Sequence, residues 1–180
     1  MTALGLYRLA TRAGGPLYEI ALRQRARRAK EDPARLPERL GRPSLPRPAG
    51  PLLWLHGASV GEALAVLPLL GALLDERATH QALVTTGTVT SARLMAGRLP
   101  ARARHQFAPI DRPVAWRRFL DHWRPDLLLL VESELWPNLI LESRRRGLAM
   151  ALINARMSAR SARRWQHLPG AAADLLRGFE

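Results

Sequence analysis

Glu62 is the first group in this sequence whose type and setting could do chemistry. It closes the string His56-Gly57-Ala58-Ser59-Val60-Gly61-Glu62. The two glycines let a ligand come close to the backbone. A carboxylate beside them could take a proton from a substrate hydroxyl. The same string has a structural reading. Ser59-Val60-Gly61-Glu62 fits the S-x-x-E capping box, with Glu at the third helical position. The helix dipole would then favour its charged, less basic form. Both readings stand at this point.

Other chemical groups follow the same logic. Glu132 and Glu134 come after five consecutive aliphatic residues. Two apart on an extended chain they share a face, and paired carboxylates can push one pKa upward. The alternative is two exposed acids at a strand end, one serving the helix that starts near Pro137. The hydroxyls of Thr85 to Thr90, with helix amides, could cradle a phosphate; the alternative is an ordinary helix cap. Neither G-x-x-x-x-G-K-[ST] nor G-x-G-x-x-G occurs, so a P-loop is excluded and dinucleotide binding has no support. Asn154 and Arg156 follow a later apolar run. Arg156 has the fork that grips carboxylate or phosphate, unless it is one more surface arginine among the 27 in the chain. His56 and the other histidines lack H-E-x-x-H or comparable spacing, so no metal and no cofactor is expected. His56 is expected to orient the Gly57–Gly61 loop by hydrogen bonding.

These groups need elements to hold them. Short apolar runs at 52–56, 82–86, 105–108, 127–131 and 149–153 read as strands. Helical apolar spacing fills 63–74, 89–99, 114–123, 135–145 and 158–177, the last interrupted at Pro169-Gly170. Strand and helix alternate, which predicts an α/β, Rossmann-like doubly wound parallel sheet covered on both faces. In such sheets ligands bind beyond the carboxyl ends of the strands. That edge is where Glu62, Thr86, Glu132, Asn154 and Arg156 fall.

The chain has 180 residues, 28 basic and 15 acidic side chains, and no cysteine. The missing cysteine excludes a disulfide scaffold, a thiolate metal site and a Cys nucleophile. The positive charge is uneven: net +7 over residues 1–48 and +6 over the remaining 132. A basic arm points to an anionic partner, nucleic acid or a phospholipid surface. Residues 1–22 hold apolar clusters interrupted by Arg8, Arg12 and Glu19, too short and too charged to span a bilayer. Arg23, Arg25, Arg27, Arg28 and Lys30 follow. Two readings remain: a segment lying in the membrane interface, or a solvated helix and basic linker. Five prolines between Pro33 and Pro48 read as a boundary. The expected organisation is therefore an anchor and basic arm (1–30), a Pro-rich linker (31–50) and a Rossmann-like domain (51–180).

The loop strings carry a resemblance. WLHGASVGE (54–62), VTTGTVTSA (84–92), APIDRP (108–113), VESELWPNL (131–139) and INARMSARS (153–161) stand in the order and spacing of the N-terminal domain of 3-deoxy-D-manno-octulosonic acid (Kdo) transferases. KEDPARLPERLG (30–41) resembles the segment before that domain. The resemblance implies the N-terminal, acceptor-binding half of a GT-B fold, with CMP-Kdo bound by a C-terminal domain. It implies inverting transfer of Kdo to the lipid A precursor at the cytoplasmic face of the bacterial inner membrane, without metal. On that footing Glu62 matches the general base and Glu132 the acid that helps stabilise the transition state. Ser59, Gly61, Thr86, Asn154 and Arg156 are the expected acceptor contacts. The donor-binding domain is expected to be absent from this chain, making it a fragment that is inactive alone. Competing readings are a basic nucleic-acid-binding module, which the absence of aromatic interleaving disfavours, and a non-catalytic α/β module.

Overall fold

The computed structural model describes residues 2–57, 59–131 and 135–179. Five strands, β1 (Leu52–His56), β2 (Gln81–Thr86), β3 (Ala103–Phe107), β4 (Leu127–Val131) and β5 (Ala149–Ile153), pair in the order β3-β2-β1-β4-β5. All the pairings are parallel. The sequence of β4, Leu-Leu-Leu-Leu-Val, has no polar alternation because both faces are covered. Its residues take opposite sides in turn. Leu128 and Leu130 join Trp54, Trp116, Phe119, Leu139 and Met150 in one core cluster; Leu129 and Val131 join Leu55, Leu70, Val84 and Met95 in the other.

The first layer is made by α5 (Leu67–Glu76) and α6 (Val89–Ala96). The second is made by α7 (Pro113–Trp123), α8 (Pro137–Arg144) and α10 (Pro169–Leu176), with α9 (Ala159–Gln166) leading from β5 into α10. The helix expected over 63–74 is two: α4 (Val60–Ala65) and α5, with a break at Val66. Pro68 sits in the first turn of α5 and has no N–H to continue the preceding ladder. Ser59 caps α4 and moves its start three residues earlier than apolar spacing suggests.

Two N-terminal helices, α1 (Ala3–Ala13) and α2 (Gly15–Arg27), precede the sheet. Leu4 of α1 is buried in the same core cluster as Trp54, Trp116 and Leu139. Asp111 ties this docking together. Its carboxylate accepts from Tyr7 Oη at 2.9 Å, Trp116 Nε1 at 2.8 Å, and the Asn138 and Leu139 amides at 3.2 and 3.1 Å. One half-buried side chain thereby caps α8 and fastens α1.

Residues 31–50 are packed rather than free. A 3-10 turn (Pro33–Arg35) leads into α3 (Leu36–Arg39), which lies against the edge strand β3. Glu38 is fully buried. It accepts from Arg35 at 2.9 and 2.8 Å, from the Phe107 amide at 2.7 Å, and from the Ser44 hydroxyl. The prolines set the turns, and the charged side chains between them do the packing. Gly41 has φ +76, and a Cβ there would sit on the Ala115 carbonyl.

Candidate active site

In a fully parallel sheet every strand ends at the same edge. From β1 the chain moves to β2, and from β4 it moves to β5 on the other side. The neighbours β1 and β4 therefore bound the crevice where a doubly wound sheet binds ligands. Residues 59–62, which open α4, follow β1. Glu132, Ser133 and Glu134, expected to add acids after β4, lie outside the described residues.

Glu62 is partly buried in the first turn of α4. Ser59 Oγ accepts from the Glu62 amide at 3.2 Å and donates to Glu62 Oε1 at 2.9 Å. One hydroxyl thus serves both readings of the string: it caps the helix and it orients the carboxylate. At Gly61 an added Cβ would meet nothing nearer than Ser59 Oγ at 4.0 Å. The fold does not demand glycine there.

His56 ends β1 and is fully buried. Its Nδ1 lies 2.8 Å from Thr85 Oγ1, and its ring stands edge-on to Trp136 at 5.3 Å and Trp116 at 6.3 Å. The bond expected to the Gly57–Gly61 loop runs sideways to β2 instead, because a parallel neighbour places Thr85 opposite His56. Thr85 Oγ1 already receives Trp54 Nε1–H at 2.9 Å. The Thr85 hydroxyl also donates to the Leu55 carbonyl at 3.4 Å. His56 Nε2 is buried with no hydrogen-bond partner among the described residues. Burial first, and the Arg39 charge second, hold His56 down to about 4 against an opposing hydrogen bond to the Thr85 backbone. The ring is neutral at pH 7.

The hydroxyls after β2 look inward. Thr86 is fully buried between Ser91 Oγ at 2.8 Å and His105 Nε2 at 2.9 Å. Thr88 and Ser91 cap α6 reciprocally. Thr86 therefore supports the loop from beneath, and the helix-cap alternative describes this stretch. Asn154 and Arg156 are exposed beyond β5, with β4 between them and the Glu62 wall. Asn154 takes φ +49, a left-handed conformation asparagine tolerates. Asp111 was not singled out from sequence as a site residue. Its string APIDRP held the only signal, an acid two residues before a helix-starting proline, and its work is structural. Burial raises its pKa while its four donors oppose that shift.

Comparison with known proteins bears on these residues. The family model described as 3-Deoxy-D-manno-octulosonic-acid transferase (kdotransferase) matches residues 34–180. A protein of Arabidopsis thaliana named "Probable 3-deoxy-D-manno-octulosonic acid transferase, mitochondrial" is 41% identical over 89% of this chain and 36% of its own length. The 3-deoxy-D-manno-octulosonic acid transferase of Rickettsia bellii is 35% identical over 91% of this chain and 39% of its own. That of Bordetella pertussis is 36% identical over 98% and 42%. The chain thus spans well under half the length of these relatives.

Proposed function

The chain belongs to the 3-deoxy-D-manno-octulosonic acid transferase family, and we propose that it forms the acceptor-binding side of an enzyme that moves Kdo from CMP-Kdo to the lipid A precursor. Glu62 is the general base of that reaction. It takes the proton of the acceptor hydroxyl while the acceptor oxygen bonds to the anomeric carbon of Kdo from the face opposite CMP. The bond to CMP breaks, and CMP leaves with the electron pair. The sugar inverts. Glu132 serves the transition state.

One observation carries this reading: Ser59 orients a carboxylate in the first turn after β1, at the crossover of a doubly wound sheet. The donor is held by a part of the transferase beyond the described residues. The enzyme works at the cytoplasmic face of the inner membrane. Leu6, Leu9, Leu17 and Ile20 of α1 and α2 are exposed beside a run of cations, which supports a segment lying in an anionic interface. No helix among the described residues is long and apolar enough to cross a membrane.

The test is Glu62→Gln in the full-length transferase, assayed for Kdo transfer. Positioned acid–base groups typically contribute about 10²- to 10⁴-fold. A loss of that size with an unchanged melting curve is expected. Wild-type transfer by the variant would end the base assignment. Loss of folding in place of transfer would assign Glu62 to capping.

A further inference from the structure

Where α1 crosses the start of α7 and the end of α8, Arg8, Arg12, Arg117 and Arg145 line one cavity of about 310 Å³, with Leu9 and Pro113 completing its wall. Four arginines so close repel one another unless acids intervene. The nearby acid is Glu142, which is buried and already shared. It takes Arg8 Nη2 at 2.6 Å, Arg146 Nη1 at 3.4 Å and Arg145 Nη1 at 3.7 Å. Arg146 has Asp121 as a second partner at 2.5 Å. Among the described residues no carboxylate pairs with Arg12 or Arg117; the Arg117 Nε donates only to the Pro113 carbonyl of its own helix, at 3.3 Å. Arg8 Nη1 is buried at this site with no acceptor. Four guanidinium groups against one carboxylate leave a net charge of +3 around the cavity.

We propose that this cavity is a phosphate site and that it takes a phosphomonoester carried on a lipid. Guanidinium forks match phosphate oxygens bidentately. A phosphomonoester carries about −1.5 to −2 charges at neutral pH, against one for the phosphodiester of an ordinary bilayer headgroup. The excess of three positive charges therefore discriminates for the monoester. The lipid follows from position. Leu9 lines the cavity and is 55% exposed, and Leu6 on the same helix is 60% exposed. An apolar chain lying along those residues would bring its phosphate to the arginines at the interface. The cavity's charge is independent of the transferase reading. The lipid as source rests on it.

The experiment compares vesicles of phosphatidylcholine doped with phosphatidic acid, a phosphomonoester, or with phosphatidylglycerol, a phosphodiester, at equal total surface charge and physiological salt. The protein should prefer phosphatidic acid by at least tenfold. R12A/R117A should abolish that preference while keeping the residual attraction to phosphatidylglycerol. R93A/R98A removes the same charge from exposed positions elsewhere and should keep the preference. Circular dichroism checks that each variant is folded; the substituted arginines lack acid partners, and R117A alone serves if the double variant unfolds. Added inorganic phosphate separates the two sources. If it displaces the protein, the site reads the phosphate group itself. If it does not and the preference persists, the site reads the group as a lipid presents it. Equal binding of the two lipids, or a preference that survives R12A/R117A, overturns the site. The readout is binding and not transfer, so its failure would leave the role of Glu62 standing.

Discussion

A histidine sealed at the end of β1 must stay neutral for the fold to hold. Protonating His56 inside would put a charge among Trp54, Trp116 and Trp136. Its folded pKa of about 4 lies below the ordinary 6.5. The unfolded chain therefore binds the proton first as pH falls. The stabilisation is complete above pH 6.5 and is lost between there and pH 4, at about 1.4 kcal/mol per pH unit and about 3 kcal/mol in all. His105 is lowered to about 3, by burial and then by Arg35, and adds in the same direction. Asp111, raised by burial, acts with the opposite sign. Urea melts of wild type and His56→Gln at pH 7, 6, 5 and 4 isolate the first contribution. The variant should start less stable and lose stability less steeply. Parallel slopes would show that His56 does not titrate this way. Sequence spacing could show that His56 ends a strand. It could not show Thr85 opposite it, because that depends on which strand becomes the neighbour.

At the scale of elements, α3 closes the open side of β3. An edge strand presents unpaired amides, and here the Phe107 amide is met by Glu38, which is 69 residues away in sequence. Glu38→Ala should remove that acceptor and leave Arg35 facing a buried hole. Breaking one side of a buried ion pair costs about 3–5 kcal/mol, so the melting midpoint in urea should fall sharply. Glu38→Gln, which keeps acceptor oxygen but not charge, should recover part of the loss. A change within about 0.5 kcal/mol for Glu38→Ala would mark the segment as the loose linker its prolines suggest. The contrast with β1, β4 and β5 is instructive. The aliphatic runs of β1 and β4 were legible because burial on both faces leaves a local signature, and the bounds of all three strands agree with the sequence reading. Glu38 leaves no such signature, since a lone carboxylate among prolines looks like a solvated one until its distant partners are in place. The Ser59-x-x-Glu62 string was legible as both a cap and a site. The structure explains why: Ser59 Oγ holds the amide and the carboxylate of the same residue.

For the whole molecule, a net charge of +13 draws the protein to any polyanion, so charge alone does not choose between a membrane and a nucleic acid. The exposed apolar residues of the N-terminal helices favour the membrane interface proposed above. Leu17 is 71% exposed and Ile20 52%, both on α2 and next to the basic run that ends the helix. Water-exposed aliphatic side chains gain nothing from a phosphate backbone, whereas each contributes about 1.5–3 kcal/mol on entering an acyl boundary. Leu17→Ser/Ile20→Ser should therefore weaken binding to anionic vesicles by about 100-fold or more at high salt, where the charge contribution is screened. At low salt the same variant should still bind, held by its cations. Binding to duplex DNA should be indifferent to the two substitutions and should fall steeply with salt. Vesicle binding equally indifferent to Leu17 and Ile20 would return the arm to simple electrostatic attraction. DNA outcompeting vesicles at physiological salt would make nucleic acid its partner.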